Sequence, residues 1–273
     1  MNEVKFTPRM PESNVNVTPT SPLKEFFVLL SAAIGILVGI YLLLGLAVDF
    51  FAPRIPPEIE QNMAGAFVSS IAVSEKFSKK TQEVQDLLDA LQKQCARLSY
   101  EFIVHVHDSP QVNAIALPGG NIVVFSGLLD KIGSETELSF VLSHEMGHYA
   151  HRDHLRGLGR TLIFMTLFTA LLGPDNSVGE LLAQSLNITE LGFSRKQETH
   201  ADEFALDMLH CRYNHVDGAI DLIKKLTTDE DIDILGPYFS THPESRERIA
   251  HVQTYSRSKK YPINQPLKTP PDA

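Results

Sequence analysis

Cysteine is scarce in this chain. Only Cys95 and Cys211 occur among 273 residues, and they stand far apart. Two such residues supply neither a metal-ligand spacing nor a disulfide framework. A single bridge in an oxidising compartment and two buried free thiols are both open, so cysteine leaves the compartment unsettled. Basic blocks are missing as well. Lys and Arg number 24 against 33 Asp and Glu, for a net charge of −9. That balance argues against a nucleic-acid partner, and none is expected. Residues 1–22 lack any apolar period and carry Pro8, Pro11, Pro19 and Pro22 among polar residues. They read as part of a disordered tail ending near residue 25.

Charge is absent altogether from Phe26 to Val48, FFVLLSAAIGILVGIYLLLGLAV. As a helix this run is about 35 Å long at 1.5 Å per residue, against a hydrocarbon core about 30 Å thick. Residues 26–48 are therefore expected to enter the lipid bilayer as a transmembrane anchor. The run is too long for a signal-peptide core, and Leu46-Ala47-Val48-Asp49 is a poor cleavage site, so the anchor is expected to stay. Lys5, Arg9 and Lys24 precede it, whereas Arg54 alone follows closely, among Asp49, Glu58 and Glu60. The positive-inside rule then puts the N-terminus in the cytoplasm and the large domain on the far side, periplasmic in a bacterium. The margin is about two charges, and a cytoplasm-facing domain is the alternative.

What remains suffices for one good-sized domain. Pro53, Pro56 and Pro57 mark residues 49–63 as a linker. A helix is expected within 64–97, with Val84, Leu87, Leu88, Leu91 and Cys95 on one stripe. Tyr100–His107 alternates as a half-buried strand, whose polar face carries His105 and His107. Asn113–Leu117, the turn Pro118-Gly119-Gly120 and Ile122–Phe125 read as a hairpin. An extended peptide can add to such an edge.

The chemistry is concentrated in Ser143-His144-Glu145-Met146-Gly147-His148. On a helix, residues four apart share a face, so His144 and His148 offer two imidazoles to one zinc ion. Glu145 lies about 100° further round and reaches a metal-bound water without being a ligand. Zinc lowers the pKa of that water to about 7, and the carboxylate takes the proton and passes it to the leaving amine. Ser134 and Glu137 read as a capping box, and Leu138, Val141 and Leu142 give the helix an apolar face.

Catalytic zinc needs a third protein ligand. His154 stands where a metzincin places its third histidine, but that pattern needs Gly where this chain has His151. Glu198 is the better candidate. It shares a helical face with Asp202, and Asp202 can hold the free ring N–H of a ligating histidine. Between these motifs, Thr161–Gly173 is strongly apolar yet short for a full span. It is expected as a core or interfacial helix. Residues 181–191 read as another apolar helix, 217–227 and 244–255 as two more, and 256–273 as a tail.

Four motifs in this order resemble the membrane-anchored gluzincin peptidases that include the HtpX heat-shock proteases and the type 1 CAAX prenyl proteases. They are Asn113-Ala114 to Pro118-Gly119-Gly120, His144-Glu145-Met146-Gly147-His148, Phe193-Ser194-Arg195 with Glu198 to Asp202, and Ser240-Thr241-His242-Pro243. The resemblance covers roughly residues 65–255. It implies an α+β, mostly helical, zincin-like metalloprotease domain with a small β-sheet, over residues 64–255. It implies one zinc per chain on His144, His148 and Glu198, with Glu145 as general base and acid. It further implies that Ala114, Ile115, Ala116 and Leu117 bind substrate backbone, and that His242 stabilises the oxyanion. Full members of that group carry several transmembrane helices, and this chain has one clear span, which departs from a closed intramembrane chamber. The expected activity is endopeptidase cleavage of misfolded or envelope and membrane proteins. The alternative is a latent zinc protein of the same fold, tethered as a chaperone or adaptor. In it His151, His154, His200 or His242 would fill the fourth zinc position.

Overall fold

The computed structural model describes residues 21–68, 77–172, 192–227, 242 and 246–263. Helix α1 runs Pro22–Phe51 and contains the uncharged run. It is long and apolar enough to cross a membrane, and no residue of it is buried. The chain divides into two units at Leu44/Gly45.

The second unit carries the rest. A 3₁₀ turn, Ala52–Arg54, leads to α2, Pro57–Val68. The expected linker is therefore partly helical. Pro57 occupies the first helical position, where a missing N–H costs nothing, and Glu60 is fully buried. Helix α3, Ser78–Cys95, buries Val84, Leu87, Leu88 and Leu91, the stripe read from the sequence. Each fully buried leucine contributes about 1.5–3 kcal/mol relative to an exposed one. Cys95 at its end is disulfide-bonded to Cys211, so the thiols are neither free nor separate.

Three strands follow: β1 (Ile103–His107), β2 (Ala114–Leu117) and β3 (Asn121–Phe125). The order is β1-β3-β2. β1 pairs parallel with β3, with Ile103 opposite Asn121. β2 pairs antiparallel with β3, with Ala114 opposite Val124, which is the expected hairpin. Gly119 and Gly120 turn the chain at φ +78° and +87°, a region that side chains rarely adopt. The outer side of β1 is closed by Gln85 of α3. Its amide donates to the Phe102 carbonyl at 2.9 Å and accepts from the Val104 N–H at 2.8 Å. His105 turns to Asn121 at 2.8 Å.

After the short helix α4 (Ser126–Lys131) comes α5, Glu135–Ala150. Ser134 accepts from the Glu137 N–H at 3.2 Å, one half of the capping box. The other half is absent because the Glu137 carboxylate accepts from the Gly133 N–H and from Lys225. Twelve of the residues from Glu137 to Tyr149 are buried, so α5 is a central helix. Helix α7, Arg195–Tyr213, starts on a full capping box of Ser194 and Gln197. It crosses α5 at Gly147, where an added Cβ would lie 2.8 Å from the Ala201 Cα. Gly147 thus lets the two helices approach closely enough to share a site. Tyr149 ties α5 to the hairpin by donating to the Leu117 and Asn121 carbonyls, the latter at 2.8 Å.

Helix α6, Asp153–Leu172, contains the apolar stretch. Leu155 and Leu158 are buried, but Leu162 and Phe164 are exposed. At Leu162 and Phe164 the helix therefore departs from the expected core packing. Helices α8 (Asp217–Thr227) and α9 (Arg246–Lys259) complete the unit. The expected tail begins too early at 256. Tyr261 stacks on His210 and donates to Asp207 at 2.7 Å, which fastens residues up to 263 to α7. The helix expected over 181–191 and residues 1–20 of the expected tail lie outside the described residues.

Candidate metal centre

Helix α5 presents His144 and His148 from one face, and α7 presents Glu198 against them. His144 Nε2 lies 3.2 Å from His148 Nε2. Glu198 lies 3.4 Å from His144 Nε2 and 3.5 Å from His148 Nε2. His242 joins them, with Nδ1 3.2 Å from His144 Nε2 and 3.1 Å from Glu198 Oε1. All four residues are fully buried, and one ligand atom from each falls within 4.8 Å of the others.

These separations test the fit of a metal. Corners of a tetrahedron around zinc at about 2.0–2.1 Å are about 3.3–3.4 Å apart. The measured separations are 3.1–3.5 Å. Imidazole and carboxylate are zinc's ordinary donors. Two imidazole nitrogens facing each other at 3.2 Å also have no use for each other unless a cation or proton lies between them. The donor set fits zinc.

The outer contacts orient the donors. Asp202 accepts from His144 Nδ1 at 3.0 Å, as its place one turn beyond Glu198 suggested. Asp153, at the start of α6, does the same for His148 at 3.1 Å. Arg248 of α9 reaches Glu198 at 2.6 Å and Asp202 at 2.7 Å. Phe193 stacks on the His148 ring at 3.7 Å between centroids. The sequence reading missed Asp153 and Arg248. Asp153 had a faint signal, since a carboxylate just beyond the helix end can fold back on it. Arg248 had none.

Electrostatics follow from burial and these partners. Burial alone would push the Glu198 carboxyl up, but His242, Arg248 and His144 hold it well below the usual range. Asp202 is likewise lowered against its burial, by Arg248 and His144. Burial would depress His144, yet Glu198 and Asp202 raise it to about 9. Glu145 differs: burial raises its carboxyl, and nearby His242 and His144 only partly offset this. Its oxygens are poorly satisfied, with the Ala116 N–H and His242 Nε2, at 3.5 Å, as neighbours. Such a carboxylate is expensive to bury and is placed to accept a proton.

His242 faces two ways. Its Nδ1 lies among the donors, while its Nε2 is 3.5 Å from Glu145 and 3.4 Å from the Ala114 carbonyl of β2. Ala114 thus meets the cluster, and Ala114, Ile115, Ala116 and Leu117 form one edge of the described sheet. His154 is elsewhere. The chain turns after α5 at Arg152, with φ +59°, rather than at residue 151. This buries His154 against Glu60 at 2.9 Å. Arg152 and Tyr100 also bond Glu60, closing a buried polar cluster.

Residues 78–256 match the family model described as peptidase family M48, and the chain belongs to that family. It is 32% identical to the mitochondrial metalloendopeptidase OMA1 of Arabidopsis thaliana, over 64% of this chain and 36% of that protein. Against the metalloprotease LoiP of Escherichia coli it is 31% identical, over 54% of this chain and 60% of the relative. Against Escherichia coli YcaL, also named a metalloprotease, the figures are 28%, 66% and 72%. The chain thus spans roughly a third to three fifths of the first two relatives. The M48 match is preceded by the N-terminal helix α1, which is long and apolar enough to cross a membrane.

Proposed function

We propose that this chain is a membrane-anchored zinc endopeptidase. The observation that carries this reading is the zinc-compatible spacing of the buried donors His144, His148 and Glu198 beside the buried carboxylate of Glu145. His144, His148 and Glu198 would hold the metal, with Asp202 and Asp153 fixing the two rings. Zinc bound there supplies Lewis acidity and makes a water molecule acidic near neutral pH. Glu145 takes the proton of the attacking water and returns it to the leaving amine, and its burial-raised carboxyl suits that exchange. The peptide is laid along Ala114–Leu117, with its carbonyl oxygen toward His242 Nε2. Substrates are misfolded or processed membrane and envelope proteins. The N-terminus is cytoplasmic and the peptidase unit lies on the far side. The Cys95–Cys211 bond supports that side, since such bonds persist in oxidising compartments.

His242 favours a second reading, in which its Nδ1 serves as fourth ligand and the enzyme rests in a latent state. For the main reading, the full chain in detergent should cleave casein, lose activity to a chelator and regain it with one equivalent of zinc. Activity untouched by complete zinc removal would contradict it.

A further inference from the structure

A cavity of about 620 Å³ opens beside the C-terminal end of α5, where Ala150, His151 and Arg152 line it. Its walls come from the last turn of α1, the start of α6 and the first turn of α7. The cations are Arg156, Arg160 and Lys196, against the carboxylates Asp49 and Asp153. Arg152 also borders it but is engaged by Glu60. Asp49 accepts from Arg160 at 2.7 Å, and Asp153 divides its oxygens between Arg156 at 3.1 Å and His148. Lys196 forms no ion pair among the described residues. One positive charge is thus in excess, in a chain whose net charge is −9. His200 also lines the cavity, its ring centroid 5.2 Å from that of His151, whose Nδ1 donates to the Gly147 carbonyl at 2.8 Å, and the N-terminus of the 19-residue helix α7 adds its positive end.

The surroundings narrow the ligand. Asp49 directly follows Val48, the last residue of the uncharged run, so one wall lies at the end of the membrane anchor. Beyond Arg160, α6 carries no charge through Leu172, and Leu162 and Phe164 are 52% and 42% exposed. A cationic cavity beside an exposed apolar helix face suits a molecule with a single negative charge and apolar tails. We propose that this cavity binds the phosphodiester of an anionic phospholipid, with the acyl chains along Leu162 and Phe164.

The test uses the full chain in non-ionic detergent, titrated by native mass spectrometry with dioctanoyl phosphatidylglycerol, dioctanoyl phosphatidylcholine and inorganic phosphate. One phosphatidylglycerol should bind saturably, with the other two weaker by about tenfold or more. Lys196→Glu and Arg160→Gln should each weaken it about tenfold, the loss of one charge-assisted contact. Lys196 is exposed on the first turn of α7, so its variant carries the test if Arg160→Gln fails to fold. Equal binding of phosphatidylcholine, or unchanged affinity in Lys196→Glu, would overturn the assignment. Inorganic phosphate binding as tightly as the lipid would make this a free-phosphate site and overturn the lipid reading.

Discussion

Asp153 holds His148 as Asp202 holds His144, each carboxylate accepting from an Nδ1–H, at 3.1 and 3.0 Å. Both imidazoles are thereby committed to present Nε2 to the same point. Asp153→Asn and Asp202→Asn should each lower zinc affinity about 10–100-fold, measured by chelator competition, without removing a ligand. Unchanged affinity in both would mean that helix packing alone sets the rings.

Zinc binding should release a proton. In the metal-free chain, burial opposes the charge on His144, but Glu198 and Asp202 prevail and raise it from 6.5 to about 9. The metal must displace that proton, so apparent affinity should rise about tenfold per pH unit between 7 and 9. Calorimetry at pH 7 in buffers of differing ionisation heat should count about one proton. The sign for stability follows from the raised value. The contribution of His144 is complete below 6.5 and is lost as pH climbs through about 9. The lowered carboxylates Glu198 and Asp202 act oppositely, contributing above the usual carboxylate range and losing it in acid. The metal-free chain should therefore lose stability on the alkaline side. Constant stability from pH 6.5 to 9 would contradict the assignment.

Glu60 is a structural test with no part in the chemistry. It is fully buried and joined to Arg152, Tyr100 and His154. Removing it leaves Arg152, at a left-handed turn, with only the Tyr100 hydroxyl, and takes away the acceptor of the Tyr100 O–H and of His154 Nε2. Glu60→Ala should cost about 3–5 kcal/mol in denaturant unfolding. A loss below about 1 kcal/mol, the range of an exposed pair, would show that the turn after α5 does not depend on α2.

His242→Ala separates the two readings of that residue. As an oxyanion donor, its loss should lower kcat by about 10²–10³ with zinc retained. As a fourth ligand in a latent state, its loss should raise activity.

The site was legible where its logic is local. His144, Glu145 and His148, and again Glu198 and Asp202, obey the four-residue period of a helix, and that period alone puts them on one face. The hairpin was legible because Pro118-Gly119-Gly120 leaves the chain few other ways to turn. What was hidden depends on chain returning from a distance. Arg248 reaches Glu198 from the last helix, and nothing in its neighbourhood marks it. Glu60 was masked by prolines that read as a linker, although Pro57 starts a helix. Gly147 matters only because Ala201 approaches it, a crossing that no spacing reveals. The exposure of Leu162 and Phe164 was left open because an apolar run looks the same whether it faces a core or an interface.

The most direct measurement pairs zinc content with casein cleavage for the full chain, wild type beside Glu145→Gln. One zinc is expected in each, with cleavage in wild type and a loss of at least about 10² in the variant. Full cleavage by Glu145→Gln with its zinc retained would contradict the mechanism at its centre.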